Sequence, residues 1–376
     1  MRKIITIVAV SVLVMTLTVS CRKEGTDKIY VGSDIISVLV TDNALPSVTK
    51  GAPVTSDNMV TEYGRIVIDA AYRDGEIYTG RYNPRQLKDV AVEYSPSEGE
   101  WIFKEIIDGV EKQRLFYWPE DDASTLTFCS YAPESSVKGL QPTVSLLGWN
   151  NGTKLEFTYV QPAPAEASPY EDASNQKDLL FALNTQNRVK DVVDGKHYAD
   201  INFSHALTGV KFVKGELQDC IVKYIVLSNF KSEGNASAVP DGKNGLTFTW
   251  SGQDVLETYR QDFGTDMRDL EKGESLDPTE NEEYTFMMIP QALDESATIT
   301  VGVEYTEGDT EEIIFEIGKV TDDKVGTGNA AKLKDWSSYA GKVITLKVNY
   351  DDDILNVEIT SFEERVDNTI KDKIIL

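Results

Sequence analysis

Apolar residues recur at every second position along much of this chain, and that rhythm restricts its fold more than any other feature. "ITVGVEY" places Ile299, Val301, Val303 and Tyr305 on one face. "LTFTW" does the same with Leu246, Phe248 and Trp250, and "ITLKVNY" with Ile344, Leu346, Val348 and Tyr350. An extended backbone sends successive side chains to opposite sides, so each stretch predicts a half-buried strand. After Tyr350 the chain reads "DDD" and then "ILNVEITSF", with Leu355, Val357 and Ile359 in step, which predicts a hairpin turning at Asp351–Asp353. Further strands are expected at 29–41, 64–72, 87–94, 99–105, 113–118, 124–132, 153–160, 219–228, 283–289 and 311–317. Two stretches predict helix instead, 254–270 and a short one near Ala331–Tyr339. Many short strands with Gly, Pro and Asp between them predict an all-β chain of antiparallel β-sandwiches.

The first twenty residues read differently. Arg2 and Lys3 precede an uncharged apolar run from Ile4 to Val19, which ends in Ser20 and Cys21. A basic start, a short apolar core and small residues at its end describe a secretory signal, and the run falls short of the ~20 residues of a spanning helix. A cysteine at the cut is what a bacterial lipoprotein requires, because its thiol takes the diacylglycerol. "LTVSC" resembles a lipobox, with Thr18 where Leu is commonest. The plainer alternative is an ordinary signal peptide with a chance cysteine.

Removing residues 1–20 leaves a chain long enough for two domains, each able to bury a core. The formal net charge is −25 and becomes about −27 without Arg2 and Lys3. So acidic a surface repels nucleic acid and favours solubility. Cys129 and Cys220 lie in strand-like surroundings and in no metal-ligand spacing. They are expected as buried free thiols, although an exported compartment permits a disulfide. Residues 160–176, "VQPAPAEASPYEDASNQ", and 271–283, "EKGESLDPTENEE", read as surface loops or linkers.

Motifs that carry chemistry are scarce. The two histidines, His197 and His205, sit in no nucleophile-elbow pattern, and "NFSHALTG" predicts a structural His205 at a strand edge. Phosphate-loop, dinucleotide-fold, HExxH and CxxC patterns are absent from the sequence. With 62 acidic residues, carboxylate pairs are too common to mark a glycosidase. Asp351–Asp353 lacks the spaced oxygens of a calcium loop, and a hairpin turn explains it. Core packing accounts for Trp101, Trp118 and Trp250, which leaves Trp149 in "LLGWNNGT" as the tryptophan to watch for a glycan contact. No enzyme activity, cofactor or metal is expected.

Four stretches in order carry a resemblance. They are "SVTKGAP" (Ser47–Pro53), "LFYWPEDDASTLTFCSYAP" (Leu115–Pro133), "QKDLLFA" (Gln176–Ala182) leading to "INFSHALTGVKFV" (Ile201–Val213), and "YTFMMIPQ" (Tyr284–Gln291). Together with the lipobox they resemble the fimbrillin-like lipoproteins of Bacteroides-type bacteria, the subunits of type V pili, over nearly the whole exported chain. The resemblance implies a signal peptide at 1–20 and two transthyretin-like β-sandwich domains, at 21–200 and 201–376, with Phe203–Leu207 opening the second. It implies export as a lipoprotein acylated at Cys21 and passage to the outer membrane and cell surface. There a trypsin-like protease removes the first strand, about 29–42, and a terminal strand of the next subunit fills the groove. Lys50 and Arg65 are the candidate cut sites, Lys50 being the only basic residue between Lys28 and the strand that holds Arg65. The donor candidate is "NTIKDKIIL", with Ile370, Ile374 and Leu376 evenly spaced. The implied partners are other pilus subunits, the outer membrane through the lipid, and host or bacterial surface ligands. The alternative function is a surface lipoprotein that binds glycans or host ligands without polymerising.

Overall fold

The computed structural model of the chain describes residues 36–42, 60, 63–72, 76–77, 90–119, 125–133, 143–148, 152–161, 171–172, 176–186, 192–193, 196–215, 220–266, 274, 276, 285–305, 307–325, 328–351 and 354–364. The strands of the first half are β1 (Ile36–Asp42), β2 (Arg65–Tyr72), β3 (Glu76–Ile77), β4 (Val90–Ser95), β5 (Glu100–Ile107), β6 (Val110–Gln113), β7 (Leu126–Ala132), β8 (Thr143–Gly148), β9 (Leu155–Val160), β10 (Glu171–Asp172), β11 (Leu180–Gln186), β12 (Val192–Val193) and β13 (Lys196–His205). The second half adds β14 (Thr208–Lys214), β15 (Cys220–Lys231), β16 (Glu233–Pro240), β17 (Leu246–Ser251), β18 (Leu256–Asp266), β19 (Thr285–Met288), β20 (Thr298–Tyr305), β21 (Thr310–Phe315), β22 (Lys342–Asp351) and β23 (Ile354–Glu364). Two short helices, α1 (Asp322–Val325) and α2 (Asn329–Lys334), stand between β21 and β22. The all-β expectation holds, and α2 answers to the short helix expected near residue 331.

The first half forms one ten-stranded sheet in the order β1-β13-β11-β7-β2-β4-β5-β6. A pairing of β1 with β5 at Val38 and Trp101 closes it on itself. Its halves therefore face one another as a sandwich joined at the sides. Inside lie Ile66, Ile68 and Ala70 of β2, Trp101 and Phe103 of β5, Phe128 of β7, and Ala199, Ile201 and Phe203 of β13. Alternation decides this: in β13, Ala199, Ile201 and Phe203 are buried while Asp200, Asn202 and Ser204 are only half-buried. Of residues 113–118, expected as a strand, Gln113 ends β6 and the rest extend none of the sheets beyond an isolated bridge at Tyr117. Phe116 and Trp118 instead fill the interior from the side.

The second half builds a sandwich of a five-stranded sheet, β10-β18-β15-β20-β21, with β10 of the first half at its edge, facing a four-stranded one, β19-β14-β22-β23. Ile299, Val301 and Val303 meet Ile344, Leu346 and Val348 in the core between them, as the alternation predicts. The hairpin read at Asp351–Asp353 is present, β22 and β23 pairing antiparallel from Asp351 and Ile354 outward. The helix expected at 254–270 is overturned. Residues 256–266 are β18, paired along β15 with bulges near Tyr224 and Phe230. Cys129 and Cys220 are both buried, and neither is in a disulfide.

A fourth sheet, β17-β16-β9-β8, joins the halves. β9 comes from the first half and β16 from the second, and they pair antiparallel from Leu155↔Ala238 to Val160↔Glu233. This sheet packs on the outer face of β7 and β11. Phe157 stacks against Phe181 with 4.1 Å between ring centroids, and Phe248 and Trp250 close the cluster from β17. Met287 and Ile289 of the "MMIPQ" segment enter the same cluster, while Met288 turns into the core of the second sandwich.

Buried glutamines pin that segment. The Gln176 side-chain carbonyl accepts the Met287 N–H at 2.8 Å, and the Gln161 amide donates to the Met287 carbonyl. Gln291 accepts from the Lys231 N–H at 2.8 Å. Each supplies a partner that a neighbouring strand would otherwise give, which a buried backbone requires.

Candidate functional site

The first strand, "ISVLVTD", is bound asymmetrically. Along one edge β1 runs parallel to β13 through seven pairs, from Ile36↔His197 to Asp42↔Phe203. Along the other it meets β5 only at Val38↔Trp101. One further backbone bond, from the Ile36 N–H to the Phe116 carbonyl at 2.8 Å, ties its start. The strand is thus the stave that closes the first sandwich.

Ile36 and Val38, at 2% and 4% exposure, point inward from β1. They cover a core rich in rings. Phe103 and Phe116 meet edge to face at 4.8 Å, as do Trp118 and Phe128 at 5.7 Å. Tyr94 and Trp101 do so at 5.8 Å. The Trp118 indole N–H donates to the His197 carbonyl at 3.3 Å, at the residue that pairs with Ile36. Withdrawing β1 would uncover Trp101, Phe116, Trp118 and Ile201 and leave the free edge of β13. A groove of that kind, with an apolar floor and an unpaired edge, can be filled by another extended strand carrying apolar residues at alternate positions. Core packing was the expected role of Trp101 and Trp118, and both are buried. Their place beneath β1 was missed. "EWIFKE" shows which residues share a face, and nothing in it says which strand covers them.

Of the residues singled out from the sequence, Arg65 is in view. It opens β2, pairs in register with Glu93, and its guanidinium donates to Glu111 Oε1 at 2.9 Å. The peptide that follows it leads into Ile66, which is fully buried. Cys21, Lys50, Ile370, Ile374, Leu376 and Trp149 lie outside the described residues.

His205 ends β13 at 6% exposure, and its Nδ1 donates to Asp178 Oδ2 at 2.5 Å. The other Asp178 oxygen accepts the Leu179 N–H at 2.9 Å, and the Tyr63 hydroxyl donates to the Asp178 carbonyl. Ser204, the adjacent hydroxyl, accepts the Leu246 N–H at 3.0 Å. The histidine thus braces β13 against the residues before β11. One residue later, the Ala206 carbonyl accepts the Trp250 indole N–H at 3.2 Å, tying this corner to β17.

No curated protein matches the sequence. Among solved structures, a candidate cell adhesion protein from Bacteroides ovatus is 14% identical, covering 90% of this chain and 98% of that one at a TM-score of 0.49. A candidate cell adhesion protein from Bacteroides uniformis is 13% identical, covering 88% and 98% at 0.45. A fimbrial protein from Bacteroides vulgatus is 12% identical, covering 88% and 99% at 0.43. The sequence model described as fimbrillin-like matches residues 86–363, most of the chain, and the protein belongs to the fimbrillin-like family.

Proposed function

We propose that the fimbrial or adhesive role this family membership gives the chain is carried out by strand exchange in a type V pilus. In this reading the chain is exported as a lipoprotein acylated at Cys21 and reaches the outer membrane and the cell surface. Protease action then releases β1, and the groove it leaves takes the C-terminal segment of the next subunit. Ile370, Ile374 and Leu376 would occupy the positions vacated by Ile36 and Val38 and their continuation. Other copies of this chain, or related pilus subunits, are the partners.

The observation that carries the reading is the asymmetry of β1: seven pairs on one side, one on the other, and two apolar side chains over a ring-lined core. The first of the described strands, held mainly by one neighbour, gives up one ladder when it leaves. Burying each of its two apolar side chains is worth ~1.5–3 kcal/mol, so the empty groove is costly in water and has a strong preference for a replacement. Arg65 is a poor cut site because its following peptide leads into the sheet, and a protease needs an exposed, extended loop. Lys50 is the better candidate. The two-domain division, at 21–200 and 201–376, is retained as part of the proposal.

Deleting residues 368–376 tests the reading. Surface protein from the intact chain should give a ladder of heat-labile polymers on a gel, and the truncated chain a folded, exported monomer. A full ladder from the truncated chain would exclude this donor. The absence of any ladder from the intact chain would leave a surface lipoprotein that does not polymerise.

A further inference from the structure

β11 and β13 pair only at Leu180↔His205 and Phe181↔Ser204. Beyond that point they splay apart. Gln186 bridges the gap with its side chain, its amide donating to the Asp200 carbonyl at 2.6 Å and its oxygen accepting the Asp200 N–H at 2.9 Å. The splay opens a half-open cleft of about 520 Å³ on the outer face of the first sandwich, roofed by the turn between β16 and β17. That size falls within the ~300–1,000 Å³ usual for small-ligand sites.

We propose that this cleft binds a neutral, hydroxyl-rich glycan. Its lining includes Thr185, Asp200, Asn202 and Asn244, with Leu183 and Pro240 as the apolar surfaces. The Asn202 amide donates to Asp200 Oδ2 at 3.3 Å, which sets a carboxylate acceptor beside an amide on the same face of β13. A carboxylate that accepts next to an amide that both donates and accepts matches a pair of neighbouring sugar hydroxyls, each of which does both. Charge excludes the acidic alternatives. The cleft holds Asp200 on a chain of net charge −25, so a sialylated or sulfated ligand would meet repulsion. A divalent cation wants six or more oxygens, and among the described residues no three acidic, histidine or cysteine side chains converge.

The roof is preorganised. Asp241 Oδ1 accepts the N–H groups of Lys243 at 2.6 Å and Gly245 at 3.0 Å, and the Asp241 N–H donates to the Gly245 carbonyl at 3.0 Å. The left-handed backbone at Gly242 (φ 77°) and Asn244 (φ 71°) is held by these bonds. A fixed turn spends little conformational entropy when a ligand arrives.

The proposal rests on the adhesive side of the family role and not on strand exchange, so the two fail separately. The test is binding of purified full-length protein, in a sugar-free detergent, to an array of neutral, sialylated and sulfated oligosaccharides. At least one neutral oligosaccharide should bind, and Asp200→Asn and Asn202→Ala should each weaken that binding at least tenfold without moving the thermal midpoint. Asp200→Asn keeps the side-chain shape and the backbone bonds to Gln186, so it remains informative if Asn202→Ala misfolds. Binding confined to acidic glycans, no binding at all, or unchanged binding by Asp200→Asn would overturn the proposal. No polymer ladder from the intact chain, with glycan binding intact, would count against strand exchange alone.

Discussion

The side-chain oxygen of Gln176 accepts the backbone N–H of Met287 at 2.8 Å, joining residues 111 positions apart in the chain. Both residues are buried, and the Gln176 amide lies 3.9 Å from the Met288 sulfur. "QKDLLFA" and "YTFMMIPQ" are therefore two ends of one contact, in which a glutamine stands in for a strand. Gln176→Leu should leave the Met287 N–H buried without its partner and lower the unfolding free energy by about 1–3 kcal/mol. Urea denaturation checks this, and a change under half a kcal/mol would show that the bond is replaced elsewhere.

The Asp178–His205 pair should behave as a brace. His205→Ala removes the donor to Asp178 Oδ2, whose side chain is fully buried. Stability should fall by at least about 2 kcal/mol. Adding Asp178→Asn should recover part of that loss, because the buried charge goes with it. A double-mutant cycle measures the coupling. Any His205→Ala protein that folds should assemble and bind normally, and a folded variant that loses all function would contradict a structural role.

Cys129 gives a pH dependence. Burial, and after it the neighbouring Asp69 charge, push its thiol well above the ordinary range. The folded chain thus holds the proton more tightly than the unfolded one. Its contribution to stability is complete below the unfolded thiol value of ~8.5 and declines as pH rises past it. Cys129→Ala should flatten that decline between pH 8.5 and 10, while costing stability at neutral pH through the cavity it leaves. Native protein should also react with a thiol reagent at pH 8 at under a tenth of the denatured rate. Rapid native labelling of Cys129 would contradict its burial.

Cys21→Ala should abolish acylation and release the protein from the membrane fraction. Incorporation of labelled fatty acid reads this directly, and label on the Cys21→Ala protein would show that "LTVSC" is not the lipidated sequence.

Period-two stretches announced most of the strands, because a half-buried strand must alternate whatever it pairs with. Ile299, Val301, Val303 and Ile344, Leu346, Val348 are the clear instances. β18 misled because its apolar residues also fit a helix: Leu256, Tyr259 and Phe263 stand three and four apart. Pairing with β15 overrides that spacing, and Tyr259 and Gln261 are buried as a strand requires. Features that depend on partners far along the chain were not legible. The closing of the first sheet by β1, between β13 and β5, is one. The pairing of β9 with β16, which puts strands of both halves in one sheet, is another. Ile201 and Phe203 of "INFSHALTG" are buried with Ile66, Trp101 and Phe128, a placement their spacing leaves open, since alternation says which residues are inside but not inside what.

The most direct measurement places a photoreactive aliphatic amino acid at position 101, opposite Val38, and asks what it captures in surface-assembled protein. Strand exchange predicts a crosslink to the C-terminal segment of a second subunit, within residues 365–376, and no crosslink to residues 36–42 of the same chain. A crosslink to its own residues 36–42 in polymerised material would contradict the account, because the first strand would then still occupy the groove.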